Sequence, residues 1–185
     1  MTQAQDAPNS SPSLPKAKQT SLGLYLTARQ AYEKWKADPE RVNVIDVRTP
    51  EEYVYVGHAE MAWNIPVAVA TYQWDKSGRD LQPIQNPDFL PRVKALFKPT
   101  DTLLVMCRSG GRSALSINLL AQAGFKNVHN IFDGMEGDLV KDPESLFNGK
   151  RLKNGWKNSG LPWSYDIDPK KMCLPTIHAE ARTAK

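Results

Sequence analysis

The alternation of apolar strands and amphipathic helices along this chain predicts an α/β domain: a parallel sheet covered by helices on both faces, with any site at the carboxyl ends of strands. Three observations carry that reading. Short β-branched or apolar runs at 42–46, 102–106 and 127–131 have strand length; stretches of helical period separate them; and the tract 102–131 forms one complete β-α-β unit. The chain has 185 residues, 41% hydrophobic and 24% charged, which suits a single domain with a substantial core plus extensions.

Each element follows from local signals. Thr27-Ala-Arg-Gln30 fits a capping box, and Ala28, Ala31, Tyr32 and Trp35 follow at helical spacing, so a helix is expected to about Ala37. Val42-Asn-Val-Ile-Asp46 is a strand with an acidic end, and Pro50-Glu-Glu-Tyr53 suits one helical turn. Ala62-Trp-Asn-Ile65, halted by Pro66, is another short strand. Asn86-Pro87 opens a helix with an N-cap and an N1 proline, carrying Phe89, Leu90, Val93, Leu96 and Phe97 inward. Thr102–Met106 is a strand, Ser113–Ala123 a helix closed by a left-handed Gly124, and Asn127–Ile131 the next strand.

The ends read differently. Residues 1–20 are rich in Gln, Ser, Pro and Ala and are expected to form a disordered tail, native or left after removal of a signal. From Asp133 the chain becomes loop-rich, yet Trp156 and Trp163 among turn residues predict that residues 133–165 are clamped to the domain at 21–165. Residues 166–185 are read as a C-terminal tail.

Composition excludes several function classes. A net charge of +4, with 24 Lys+Arg against 20 Asp+Glu, is interspersed without a basic stripe, which favours small anions over nucleic acid. Two cysteines make no disulfide framework, and His58, His129 and His178 lack ligand spacing, so a zinc site is not expected. No apolar stretch reaches membrane-spanning length. A soluble protein is expected, cytoplasmic or, after signal removal, periplasmic or exported.

The chemistry concentrates at Met106-Cys107-Arg108-Ser109-Gly110-Gly111-Arg112-Ser113. Cys107 ends a strand where a turn opens a helix, so unpaired N–H groups and the positive helix end converge on one sulfur. With Arg108 and Arg112 alongside, the setting favours a thiolate nucleophile or an anion site over an inert buried cysteine.

These residues resemble the rhodanese-like sulfurtransferase family. Asp46-Val-Arg48-Thr-Pro-Glu-Glu52-Tyr53, Gly57-His58, Asn64-Ile-Pro66, the Cys107–Ser113 loop and Gly160-Leu-Pro162 occur in the family's order across roughly residues 22–165. The chain departs from it with one extra residue between Tyr53 and Gly57, Met61 where glycine is common, and an insertion-like stretch at 141–154. The resemblance implies a five-stranded parallel sheet and a catalytic Cys107 that takes sulfane sulfur from a donor anion such as thiosulfate. The sulfur is held as a persulfide and passed to a thiol or cyanide-like acceptor, or to a protein acceptor, without a cofactor. Backbone N–H groups of Ser109, Gly110, Gly111, Arg112 and Ser113 would hold the persulfide's charge. Arg112 would bind the anion; Arg108 would add charge or face solvent. Asp46 and Arg48 would orient loop or substrate from behind, or form a structural ion pair, for Arg48 with Glu52. His58 is read as structural, because attack by a thiolate needs no base.

Two alternatives remain beside that reading. Protein phosphatases place five residues between the nucleophilic cysteine and the arginine, whereas Arg108–Gly111 are four; a shorter loop suits one sulfur better than a phosphoryl group. A persulfide carrier or binding module without turnover of its own would need the same Cys107. Cys173, in Lys-Lys-Met-Cys-Leu-Pro, is an incidental thiol or a resolving one.

Overall fold

The computed structural model describes residues 14–79 and 81–175, and the expectations for residues 1–13 and 176–185 lie outside it. Five strands form one sheet: β1 (Tyr25–Leu26), β2 (Val42–Asp46), β3 (Trp63–Asn64), β6 (Thr102–Met106) and β7 (Val128–Ile131). Their order is β1-β7-β6-β2-β3, and every neighbouring pair is parallel. The sheet is thus the five-stranded parallel one expected, and its carboxyl ends share one rim.

Period-two alternation divides the core between two faces. Ile45, Leu103 and Val105 pack with Phe89 and Val93 of α3 (Phe89–Leu96) and with Ile117 and Leu120 of α4 (Gly111–Gln122). Val44, Leu104 and Met106 turn the other way, onto Ala28 and Ala31 of α1 (Ala28–Ala37) and onto Trp156. Trp156 is fully buried, donates its indole N–H to Pro162 O at 2.8 Å and meets Tyr32 edge-on, so the loop-rich stretch forms part of this face.

Local chemistry places the elements much as expected. Thr27 caps α1 in a complete capping box with Gln30, and Thr49 caps α2 (Pro50–Val56) in a second one with Glu52. That box and Pro50 at N1 extend the single expected turn to seven residues. Gly124 is left-handed at φ 96°, and α4 begins two residues before Ser113 because Gly110, at φ 97°, takes the cap.

Other expectations need correction. Asn86 does not cap α3: its side chain donates to Pro66 O at 2.8 Å and accepts the Asp88 N–H at 3.0 Å, so the helix starts only at Phe89. Leu96, expected inward, is 40% exposed, because this short helix ends before another turn faces the sheet. Residues 66–86 contain an antiparallel hairpin of β4 (Ala68–Trp74) and β5 (Leu81–Gln85), apart from the main sheet. Residues 14–20, read as tail, are held to the domain. A 3-10 turn at Lys16–Lys18 lies beside α4, and Lys18 pairs with Asp138 at 2.7 Å. Past residue 165, Met172 bridges Asn64 and the Cys173 N–H reaches Asn64 O at 2.9 Å.

Candidate active site

Cys107 directly follows β6 and packs with the cluster that Leu103 and Val105 share with α4. It is 2% exposed. The Gly110 N–H donates to its Sγ at 3.1 Å. Ser113 Oγ lies 3.6 Å from Sγ and 2.7 Å from Asn130 Oδ1. One hydroxyl proton serves one acceptor, and the shorter contact takes it, so Gly110 is the sulfur's main donor. The first main-chain bond of α4 runs from Ala114 N to Gly110 O, leaving the N–H groups of Gly111, Arg112 and Ser113 without main-chain partners among the described residues at the helix's positive end.

The loop is braced from β7 and the turn after it. Asn130 Nδ2 donates to Gly110 O at 3.2 Å and to Lys18 O at 3.0 Å, joining the loop to the N-terminal segment. Met135 N–H reaches Cys107 O at 2.8 Å, and Glu136 N–H reaches Arg108 O at 3.0 Å. Gly110 lies against Phe132 O so closely that any Cβ would collide with it.

The expected cations separate in role. Arg112 forms a fork with Glu52, both contacts at 2.6 Å. Burial opposes both charges, yet the paired bonds and mutual attraction prevail, holding the Glu52 carboxyl below its ordinary range and the Arg112 guanidinium above its own. Arg108 is exposed.

Asp46 and Arg48 are fully buried and paired at 2.7 Å, with the Arg48 main-chain N–H and Nε also on the Asp46 carboxylate. Arg48 reaches Glu52 through its main-chain oxygen at 3.5 Å and Gly57 O at 2.8 Å, so it spans α2 from end to end. Its expected carboxylate partner Glu52 thus belongs to Arg112, while Asp46 takes its place. Burial opposes the Arg48 charge and Asp46 outweighs that, raising its pKa above the ordinary value. His58 stacks on Tyr53 at 3.8 Å, and burial lowers its pKa, keeping the ring neutral.

Sequence reasoning missed Glu52 as the partner of Arg112 and Asn130 as the loop's brace. Glu52 was read within one helical turn and as a partner for Arg48, and nothing local pointed sixty positions on to Arg112.

Residues 27–139, more than half of the chain, match the family model for the Rhodanese-like domain. The chain belongs to the rhodanese-like family. Uncharacterized protein RP600 of Rickettsia prowazekii (strain Madrid E) is 31% identical over 122 residues, 66% of this chain and 82% of that one. Thiosulfate sulfurtransferase 16, chloroplastic, of Arabidopsis thaliana is 41% identical over 90 residues, 49% of this chain and 68% of that protein. The crystal structure of Rv0390 from M. tuberculosis superposes with a TM-score of 0.58 at 27% identity, covering 76% of this chain and 96% of that one. This rhodanese-like domain thus shares fold and sequence family with sulfurtransferases. Among the described residues no His, Cys, Asp and Glu cluster could hold a metal, and no helix is long and apolar enough to cross a membrane.

Proposed function

We propose that the chain is a sulfurtransferase of the thiosulfate sulfurtransferase type, working through a persulfide on Cys107. The observation that carries this is the Gly110 N–H at 3.1 Å from Sγ, at a helix N-terminus whose next three N–H groups have no main-chain partner among the described residues. The thiolate attacks the outer sulfur of thiosulfate, a Cys107 S–S bond forms, and sulfite leaves with the electron pair of the broken S–S bond. Gly110 and those three N–H groups stabilise the charge on the bound sulfur. Arg112 keeps N–H donors beyond the two used by Glu52, and these suit sulfonate oxygens. Asp46 and Arg48 hold α2, and hence Glu52, in place. A thiophilic acceptor then attacks the outer sulfur and restores the thiolate. The four-residue spacing from Cys107 to Arg112 supports sulfur rather than phosphoryl chemistry.

Peptide mass mapping after thiosulfate treatment tests the reading: one added sulfur on the Cys107 peptide, none on the Cys173 peptide, and no transfer in Cys107→Ser. Full activity in that variant would end it. Stoichiometric loading without steady-state turnover would replace it with a persulfide carrier serving a partner protein.

A further inference from the structure

A cleft of about 700 Å³ opens beside the Cys107 loop, and none of the family's motif residues except Ser109 lines it. One wall is the segment at Leu14–Lys18, and the other is the excursion from Asp138 to Lys153. The excursion includes the insertion-like stretch noted in the sequence. Its neck is closed by Val140 N–H on Lys150 O and Gly149 N–H on Val140 O, at 2.8 and 2.9 Å.

The lining is strongly cationic. Lys18, Lys141, Arg151 and Lys153 stand against one carboxylate, Asp138. Asp138 is engaged by Lys18 at 2.7 Å, and Arg151 is fixed by its bond to Gly137 O at 2.7 Å with its charge retained. Lys141 and Lys153 are exposed and make no hydrogen bond or ion pair among the described residues. A concave surface of this size with three uncompensated cations suits a ligand with several carboxylates, of tripeptide scale, and is far larger than thiosulfate needs.

We propose that this cleft binds the sulfur acceptor, a small thiol bearing carboxylates. The proposal rests on the sulfurtransferase reading and names that site's second substrate. The carboxylates engage Lys141 and Lys153, and the thiol points past Ser109, two residues from Cys107. The loaded sulfur extends the reach of Cys107 by one S–S bond, about 2 Å. The acceptor thiol gives its proton to the outer sulfur of the Cys107 persulfide anion and, as a thiolate, attacks that sulfur. An acceptor S–S bond forms, the Cys107 S–S bond breaks with its electron pair kept on Sγ, and the products are the Cys107 thiolate and the acceptor persulfide. The outer sulfur keeps its proton, and no external oxidant or reductant enters.

The test uses the full chain and the double variant Lys141→Glu, Lys153→Glu at low ionic strength. Calorimetry with S-methylglutathione, a carboxylate-bearing analogue that cannot react, should show binding that the double variant weakens about ten-fold or more. The glutathione KM should rise likewise while the KM for 2-mercaptoethanol, a neutral thiol, stays put. No binding by the unaltered chain, equal affinity in the variant, or an equal KM rise for both thiols would overturn the proposal. Failure of thiosulfate to load Cys107 would instead sink the sulfurtransferase reading, and the calorimetry would still decide whether the cleft takes carboxylates.

Discussion

Glu52 and Arg112 face each other as a fork, each carboxylate oxygen 2.6 Å from one terminal guanidinium nitrogen. The same carboxylate accepts the Thr49 N–H at 3.1 Å, so one side chain both caps α2 and sets the cation of the Cys107 loop. Arg48 strengthens that coupling by tying both ends of α2 to Asp46.

Arg112→Ala should raise the thiosulfate KM about ten-fold or more, the equivalent of losing a charge-assisted bond of roughly 1.5–3 kcal/mol. It should also lower the melting temperature, because Glu52 is left partly buried without its cation. Glu52→Gln keeps the shape and should move KM the same way by less. Arg108→Ala, on an exposed side chain, should stay within about two-fold of the parent. Steady-state kinetics with the order of Arg108 and Arg112 reversed would show that the roles are misassigned.

Gly110→Ala should cripple both folding and loading. The position is left-handed at φ 97°, and its Cβ would strike Phe132 O, so β7 and the loop must part. Destabilisation of about 2 kcal/mol or more is expected from chemical denaturation. A variant of parental stability and activity would show that the loop has slack the structure does not allow.

Asn130→Ala removes the donors to Gly110 O and Lys18 O together with the acceptor for Ser113. Leaving those buried groups unsatisfied should cost about 1–3 kcal/mol. Amide hydrogen exchange should quicken in the Cys107–Ser113 loop and around Lys18 at once. Faster exchange in one of the two alone would mean that they are not joined through this side chain.

Acid stability should carry a histidine signature. Burial, with Lys34 nearby, lowers the His129 pKa to about 4. Between that value and the ordinary one of about 6.5, the unfolded chain binds the proton and the folded chain does not. Stability therefore falls as pH drops from about 6.5 toward 4, and His58, also lowered by burial, adds to the slope. His129→Gln should flatten the melting temperature across this window. The Glu52 contribution, from a depressed carboxyl, is lost only at lower pH. An unchanged slope in the variant would rule out His129 as a source.

Strand runs, the Thr27–Gln30 capping box and the glycine-rich turn after Cys107 were legible because each is written in neighbouring residues. The site's couplings were not. The Glu52 fork to Arg112 and the Asn130 brace depend on strand order, which local pattern does not encode. Arg48 with Asp46 was left open for another reason: Asp46 ends β2 and Arg48 lies just past it, so strand alternation does not fix where the guanidinium turns. The hairpin of β4 and β5 carried a turn signal in Asp75-Lys-Ser-Gly78, where Asp75 accepts the Ser77 N–H, but its strands lie off the main sheet, and β5 is exposed along its whole length, so no alternation marks it.

Gly137 and Gly155 touch where the chain leaves for the excursion and where it returns, so closely that a Cβ on either would meet the other strand's backbone. Arg151 and Asn154 fasten that crossing from inside the excursion, through Gly137 O and the Asp138 N–H. The sheet, the Cys107 loop and Trp156 are therefore joined through a fixed doorway, whatever lies beyond it. If the cleft takes the acceptor as proposed, shortening, lengthening or recharging residues 138–154 should change which thiols reach the sulfur while the backbone around Cys107 stays as it is.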